Sequence, residues 1–206
     1  MSPIFVAGTG TDIGKTWVLT RLIDELRERG HEVHARKPAQ SFAPEERGHT
    51  DAEILAAASG EEPTDVCPAH RWYEVPMAPP MAATHLGRPA FTIADLAAET
   101  VMPVTTFVEG AGGPRSPLAA DGDNVAFARA VGATQAVLVA DAGLGTINAV
   151  TLSVDALAGF PTVVMLNRFD PNVELHRANR DWLRLAGYLL ATTVQELADR
   201  LEPRVS

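Results

Sequence analysis

The sequence predicts an α/β fold: one domain over residues 1–206 with a parallel sheet flanked by helices. Two patterns lead to this. Short apolar runs alternate with amphipathic stretches, the signature of strand–helix–strand units. A glycine-rich segment from Gly8 to Gly14 joins the first such run to the first amphipathic stretch. The length of 206 residues, with 46% hydrophobic and 21% charged, agrees with one ordinary globular domain.

Ile4–Ala7 reads as the first strand. From Gly14 a helix should run to Arg29, with Val18, Leu22, Ile23 and Leu26 on one face and Gly30 ending it. Val33–Arg36 is the second strand. Thr50-Asp51-Ala52-Glu53 forms a capping box ahead of Ile54–Ala58. Pro76–Pro80, with three prolines, should be irregular. Thr92 is placed to cap a helix over Ile93–Thr100, and Asn124 one over Val125–Val131. Thr105–Val108, Ala136–Ala140 and Val163–Leu166 are further strands. Ile147, Val150, Val154 and Leu157 recur at helical spacing, the pattern of a core-facing stripe.

Several function classes are disfavoured. The net charge is −9, from 26 acidic and 17 basic residues, whereas nucleic-acid binding requires a concentrated basic face. Arg177, Arg180 and Arg184 share one side of a late helix, which reads as a solvated face. No apolar run approaches the roughly 20 residues of a membrane span, so no membrane partner is expected. Met1–Val6 has neither a basic start nor a long apolar stretch, so no secretory leader is expected and the cytoplasm is the expected compartment. Cys67 is the only cysteine, which rules out an intrachain disulfide and a cysteine-clustered metal site. The histidines lack metal-ligand spacing, and no Gly-x-Ser-x-Gly is present.

The strongest chemical signal is Gly8-Thr9-Gly10-Thr11-Asp12-Ile13-Gly14-Lys15-Thr16. It follows a strand and opens a helix, as a phosphate loop must. Backbone N–H groups and the positive end of the helix dipole would cradle phosphate oxygens. Lys15 would reach the terminal phosphates, and the Thr16 hydroxyl would ligate Mg²⁺. The fold class is therefore that of P-loop nucleoside triphosphatases. Magnesium in such sites is held by one or two carboxylates as well. Glu109, after Thr105–Val108, would point into the crevice at the carboxyl ends of parallel strands. Asp51 is a second candidate, although the first turn of a capped helix favours an acid on its own account. Lys37 ends the second strand, before Pro38, at the same sheet edge, where it could hold a second anionic group.

These segments, with Lys37-Pro38-Ala39-Gln40-Ser41, Val108-Glu109-Gly110-Ala111-Gly112-Gly113 and Gly143-Leu144-Gly145-Thr146-Ile147-Asn148, resemble the dethiobiotin synthetase family over residues 4–167. The resemblance implies an ATP- and Mg²⁺-dependent cyclo-ligase of biotin biosynthesis. Such an enzyme carboxylates 7,8-diaminopelargonate with CO₂ and closes a cyclic urea. By matching position, Lys15, Lys37 and Thr11 would act in catalysis. Gly10, Asp12, Ile13, Gly14, Lys15, Thr16 and Asn167 would bind the nucleotide, Asn167 at adenine. Ser41, Glu109, Gly110, Ala111, Gly112, Gly145 and Asn148 would bind the diamine, and Thr16, Asp51 and Glu109 the metal. The turn before Asn148 would take the substrate's carboxylate tail across a homodimer interface.

The chain departs from the family pattern at three places. Phe42 stands where glycine is usual, Pro114-Arg115-Ser116-Pro117 follows Gly112-Gly113, and no Gly-x-Ile/Leu-Pro stretch follows Asn167. A related P-loop carboxylase or ligase with a different amine substrate is the alternative these differences leave open. A partition-type ATPase is disfavoured, because Gly10 occupies the position of that group's signature lysine.

Overall fold

The computed structural model describes residues 3–44, 48–101 and 104–205, with the side chains of the last helix through Leu201. In chain order the elements are β1 (Ile4–Gly8), α1 (Lys15–Glu28), β2 (His34–Arg36), β3 (Gln40–Ser41), α2 (Asp51–Ser59) and α3 (Pro63–Val66). A 3₁₀ turn at Ala69–Arg71 leads to β4 (Trp72–Tyr73), α4 (Pro79–His85), α5 (Ile93–Glu99), β5 (Thr106–Glu109), β6 (Pro117–Ala119) and β7 (Gly122–Asp123). Then follow α6 (Asn124–Ala130), β8 (Gln135–Asp141), α7 (Thr146–Ala156), β9 (Thr162–Asn167), α8 (Glu174–Leu185), β10 (Leu189–Ala191) and α9 (Val194–Val205).

The main sheet has six strands in the order β10-β9-β8-β1-β5-β2, and every pairing is parallel. Its central strands are buried on both faces, which explains their nearly unbroken apolar sequences. Alternation along β1 shows the two layers. Phe5 and Ala7 join a core with Phe127, Leu138 and Leu183, whereas Ile4 and Val6 join one with Leu19, Leu22, Leu55 and Leu197. Helices α1, α2 and α9 therefore cover one face, and α6, α7 and α8 the other. The first strand begins between β5 and β8, so the loop after it emerges at the middle of the sheet's carboxyl edge.

The expected caps at Thr50 and Thr92 are present as full capping boxes, with Glu53 and Asp95 as reciprocal partners. Two expectations need correction. The cap of α6 is Asp123, whose carboxylate accepts the Ala126 N–H at 2.8 Å; Asn124 is the first helical residue. Pro76–Pro80 is irregular only in part, since Pro79 and Pro80 open α4, where the missing N–H groups cost nothing. The stripe on α7 faces inward: Val150 and Leu157 are buried, and Ile147 and Val154 pack against the same core. No described helix is long and apolar enough to cross a membrane.

Candidate functional site

The loop between Gly8 and Lys15 is shaped by backbone requirements that its glycines meet. Gly14 has φ +87°, and a Cβ there would lie 2.4 Å from the Asn167 Nδ2. A Cβ on Gly8 would come within 2.6 Å of the Ile13 side chain. Asn167 Nδ2 donates to the Ile13 carbonyl at 2.8 Å, and Arg168 donates to the Asp12 carbonyl at 3.0 Å. Asp12 and Arg168 have φ 58° and 57°, so each strained residue is tied to the other. Lys15 folds back on this loop, donating to the Gly10 carbonyl at 3.3 Å. Burial lowers its pKa, against the opposing pull of Glu109.

Beside the loop lies a buried ionic group. Lys37, just beyond β2, places its Nζ 2.6 Å from Glu109 Oε1 and 2.5 Å from Asp51 Oδ2. The Thr16 Oγ1 is 2.9 Å from both Asp51 Oδ1 and Glu109 Oε1. Glu109 is the last residue of β5 and 0% exposed, carried to this edge by its register opposite Val6 of β1. Asp51 arrives as the first residue of α2, fixed by the Thr50–Glu53 capping box. Burial disfavours the Lys37 ammonium, but the carboxylates of Glu109 and Asp51 outweigh it and raise its pKa. Burial likewise pushes the Asp51 carboxyl up, and Lys37 more than reverses this, leaving it lowered.

This donor set suits a small divalent cation. A threonine hydroxyl and two carboxylates are hard oxygen ligands of the type Mg²⁺ prefers. The buried Glu109 Oε2 has no hydrogen-bond partner, an acceptor left over after Lys37 and Thr16 are satisfied.

Lys15, Thr16, Lys37, Asp51 and Glu109 together line a cavity of about 630 Å³. Thr11, Asp12, Gly14, Ala111 and Gly112 form its loop side, and Ser41 and Phe42 lie on another wall with Pro76, Met77 and Pro79. Ser41 Oγ donates to the Met77 carbonyl at 2.6 Å. Other expected site residues lie elsewhere. Gly10 and Ile13 belong to the loop but not to the cavity wall. Gly110 is a packing position, where a Cβ would lie 2.4 Å from Asn124 Oδ1. Asn167 sits in a neighbouring cleft. Gly145 and Asn148, at the start of α7, line neither space.

Three supporting residues escaped sequence reasoning. Gln40 Oε1 accepts the Ala52 N–H at 3.0 Å, tying the start of α2 to β3. Asn124 Nδ2 donates to the carbonyls of Ala111 at 2.7 Å and Gly113 at 2.9 Å, and its Oδ1 accepts the Ala111 N–H at 3.0 Å. Arg168 adds the tie to Asp12 described above. Gln40 lies within the Lys-Pro-Ala-Gln-Ser segment, which was the available signal. Asn124 signals only a helix cap, and Arg168 gives no signal, since its partner Asp12 is far away in sequence.

Comparison with known proteins agrees with this architecture. A family model described as an AAA domain matches residues 2–174. The ATP-dependent dethiobiotin synthetase BioD of Anaeromyxobacter dehalogenans is 38% identical over 195 residues, covering 86% of this chain and 83% of the relative. The same-named protein of Corynebacterium efficiens is 40% identical over 162 residues, covering 76% and 70%. That of Rhodococcus jostii is 42% identical over 165 residues, covering 77% and 68%. Among solved structures, a plasmid partition protein from Borrelia burgdorferi superposes with a TM-score of 0.61 over all of both chains at 8% identity, a likeness of fold alone.

Proposed function

The chain belongs to the dethiobiotin synthetase family, and on that premise we propose that it converts 7,8-diaminopelargonate, CO₂ and ATP into dethiobiotin, ADP and phosphate. It is an ATP-dependent ligase. The observation that carries the substrate-level reading is the convergence of Lys15, Lys37, Thr16, Asp51 and Glu109 on one cavity. One amine of the substrate adds to CO₂, giving a carbamate and releasing a proton. A carbamate oxygen attacks the γ-phosphorus and displaces ADP. The neighbouring amine then attacks the carbonyl of the mixed anhydride, expelling phosphate and closing the urea ring.

Each protein group has a part in that sequence. The N–H groups of the Gly8–Thr16 loop hold the polyphosphate, and Lys15 follows the charge on the transferring group. Lys37, fixed by two carboxylates, offers a permanent cation to the carbamate. Thr11 and Ser41 position the diamine, and Ala111 and Gly112 bound the space it occupies. Thr16, Asp51 and Glu109 would hold Mg²⁺, which supplies charge neutralisation at the β- and γ-phosphates. The decisive test is formation of dethiobiotin from 7,8-diaminopelargonate, bicarbonate, ATP and Mg²⁺. Nucleotide binding without product in both the natural protein and Phe42→Gly would reject this substrate. Product only in Phe42→Gly would favour the second reading, a different amine, which rests on the Phe42 ring lining the cavity.

The same reading includes a homodimer in the cytoplasm. Gly145 and Asn148 stand apart from this chain's own cavity, so they would take the substrate's carboxylate tail only at a partner's site. Light scattering that returned a monomer at assay concentration would reject the dimer.

A further inference from the structure

A second cleft of about 500 Å³ adjoins the phosphate loop, and its most unusual lining residue is Trp17. This residue directly follows Thr16 and heads the outward stripe of α1, where Arg21, Asp24 and Glu28 follow at helical spacing. The inward stripe, from Val18 to Leu26, is buried, so Trp17 contributes nothing to the core. It is 54% exposed on an otherwise charged face. Leaving that much indole surface in water forgoes the burial free energy of a large aromatic ring. A nucleobase supplies the flat apolar face that would cover it.

The cleft is also tied to the loop it adjoins. Its floor includes Asn167 and Arg168, which donate to the Ile13 and Asp12 carbonyls respectively. Phe169 is a second aromatic residue in its lining, and Gln195 is a polar one. The cleft reaches the phosphate loop at two places, at Trp17 directly after Thr16 and at Asn167 and Arg168, so a nucleotide whose phosphates occupy the loop would have this space within reach of its base. The Arg21 guanidinium carbon is 5.9 Å from the Trp17 ring centroid, a cation–π contact that helps hold the indole in place.

We propose that Trp17 is the stacking platform for the nucleobase, and so a determinant of how strongly this chain holds a nucleotide as distinct from bare polyphosphate. The proposal rests on the phosphate-loop reading above and extends it to a residue outside the loop.

The test compares ATP with inorganic tripolyphosphate, each with Mg²⁺, by titration calorimetry on the natural protein, Trp17→Ala and Trp17→Phe. Base–aromatic stacking is worth about 1–3 kcal/mol, so Trp17→Ala should weaken ATP binding between about 5-fold and 150-fold. Tripolyphosphate affinity should be unchanged, and Trp17→Phe should recover most of the loss. ATP, but not tripolyphosphate, should quench a part of the intrinsic fluorescence that disappears in Trp17→Ala, leaving Trp72 and Trp182 as reporters of an intact fold. Equal affinities for ATP in the natural protein and Trp17→Ala would overturn the proposal, as would an equal loss for both ligands. Failure of the natural protein to bind either ligand would overturn the phosphate-loop reading and the proposal with it, whereas equal ATP affinities with tripolyphosphate bound would overturn the proposal alone.

Discussion

Replacing Lys37 with methionine should make the fold strongly dependent on what else neutralises Glu109. The methionine nearly fills the lysine's volume but removes the only ammonium in contact with that carboxylate among the described residues. Glu109 is 0% exposed and Lys37 4%, so the abandoned charge is poorly hydrated. Removing one partner of such a buried pair costs roughly 3–5 kcal/mol. Asp51, whose side chain is 41% exposed, adds less than Glu109 because solvent screens it in part. For a chain of this size that loss corresponds to a fall of roughly 6–20 °C in Tm. The double variant Lys37→Met/Glu109→Gln removes the uncompensated charge and should regain most of the loss. Mg²⁺ should raise the Tm of Lys37→Met more than that of the natural protein, since a cation at Thr16, Asp51 and Glu109 replaces the missing one. Thermal unfolding of the three proteins, with and without Mg²⁺, reads all of this. A Lys37→Met variant within 1 °C or so of the natural protein would refute the reasoning, because a buried lone carboxylate cannot be that cheap.

Three shorter predictions follow from other contacts. Gly14→Ala should abolish ATP binding in calorimetry, since φ +87° is strained for alanine and its Cβ would lie 2.4 Å from Asn167 Nδ2. Thr50→Ala should cost about 1 kcal/mol in denaturant unfolding through loss of the cap, and should weaken Mg²⁺-dependent turnover because the cap fixes Asp51. Burial pushes the Cys67 thiol up to about 12, with Lys37 pulling weakly the other way, so the natural protein at pH 8 should leave Ellman's reagent unreacted until it is unfolded. The pH profile of stability has a sign as well. Lys37 has a raised pKa, so its contribution is complete below 10.5 and is lost as pH rises further; Asp51 has a lowered one, so its contribution holds above 3.8 and is lost as pH falls. Unfolding free energies should therefore decline on both sides of that window.

What could be read from the sequence divides along physical lines. β1, β5, β8 and β9 are legible because both faces of a central parallel strand are buried, and an unbroken apolar run records this. β3, β4, β6 and β7 have two or three residues each, too few for any period, and their pairing depends on contacts distant in sequence. Helix starts were legible where a cap has a reciprocal partner three residues on, as at Thr50 and Thr92. At α6 two adjacent cap-type residues, Asp123 and Asn124, compete, and tertiary contact decides. Asn124 is drawn away to the carbonyls of Ala111 and Gly113, leaving Asp123 to cap. The same division holds in the site. Lys15, Thr16, Lys37 and Glu109 come together because parallel strands deliver their carboxyl ends to one edge. Gly110 must lack a side chain because of packing against Asn124 and Phe5, a constraint that its motif does not display. Trp17 carried no signal, since a lone aromatic after a phosphate loop matches no pattern.

The charge balance of the site has a consequence for folding. Lys15 and Lys37 face Asp51 and Glu109, so the group is formally neutral before any nucleotide or metal arrives. A cluster whose charges cancel, with Lys37 in contact with both carboxylates, can be buried at far less cost than either pair of like charges alone. The loop, the carboxylates and the start of α2 can therefore take their places without a ligand. The arrangement differs from a bare metal site, where two carboxylates would repel until a cation bound and folding would depend on it. It also divides the work between the lysines. Lys37 is held by Glu109 and Asp51 with its pKa raised, and so stays a fixed cation. Lys15 rests on a neutral carbonyl with its pKa lowered by burial, and so has the most to gain from an incoming anion. An approaching phosphate thus draws on Lys15 without dismantling the Lys37 group. The affinity of the loop for polyphosphate should then survive Lys37→Met better than it survives Lys15→Ala, at any salt concentration where the protein is folded.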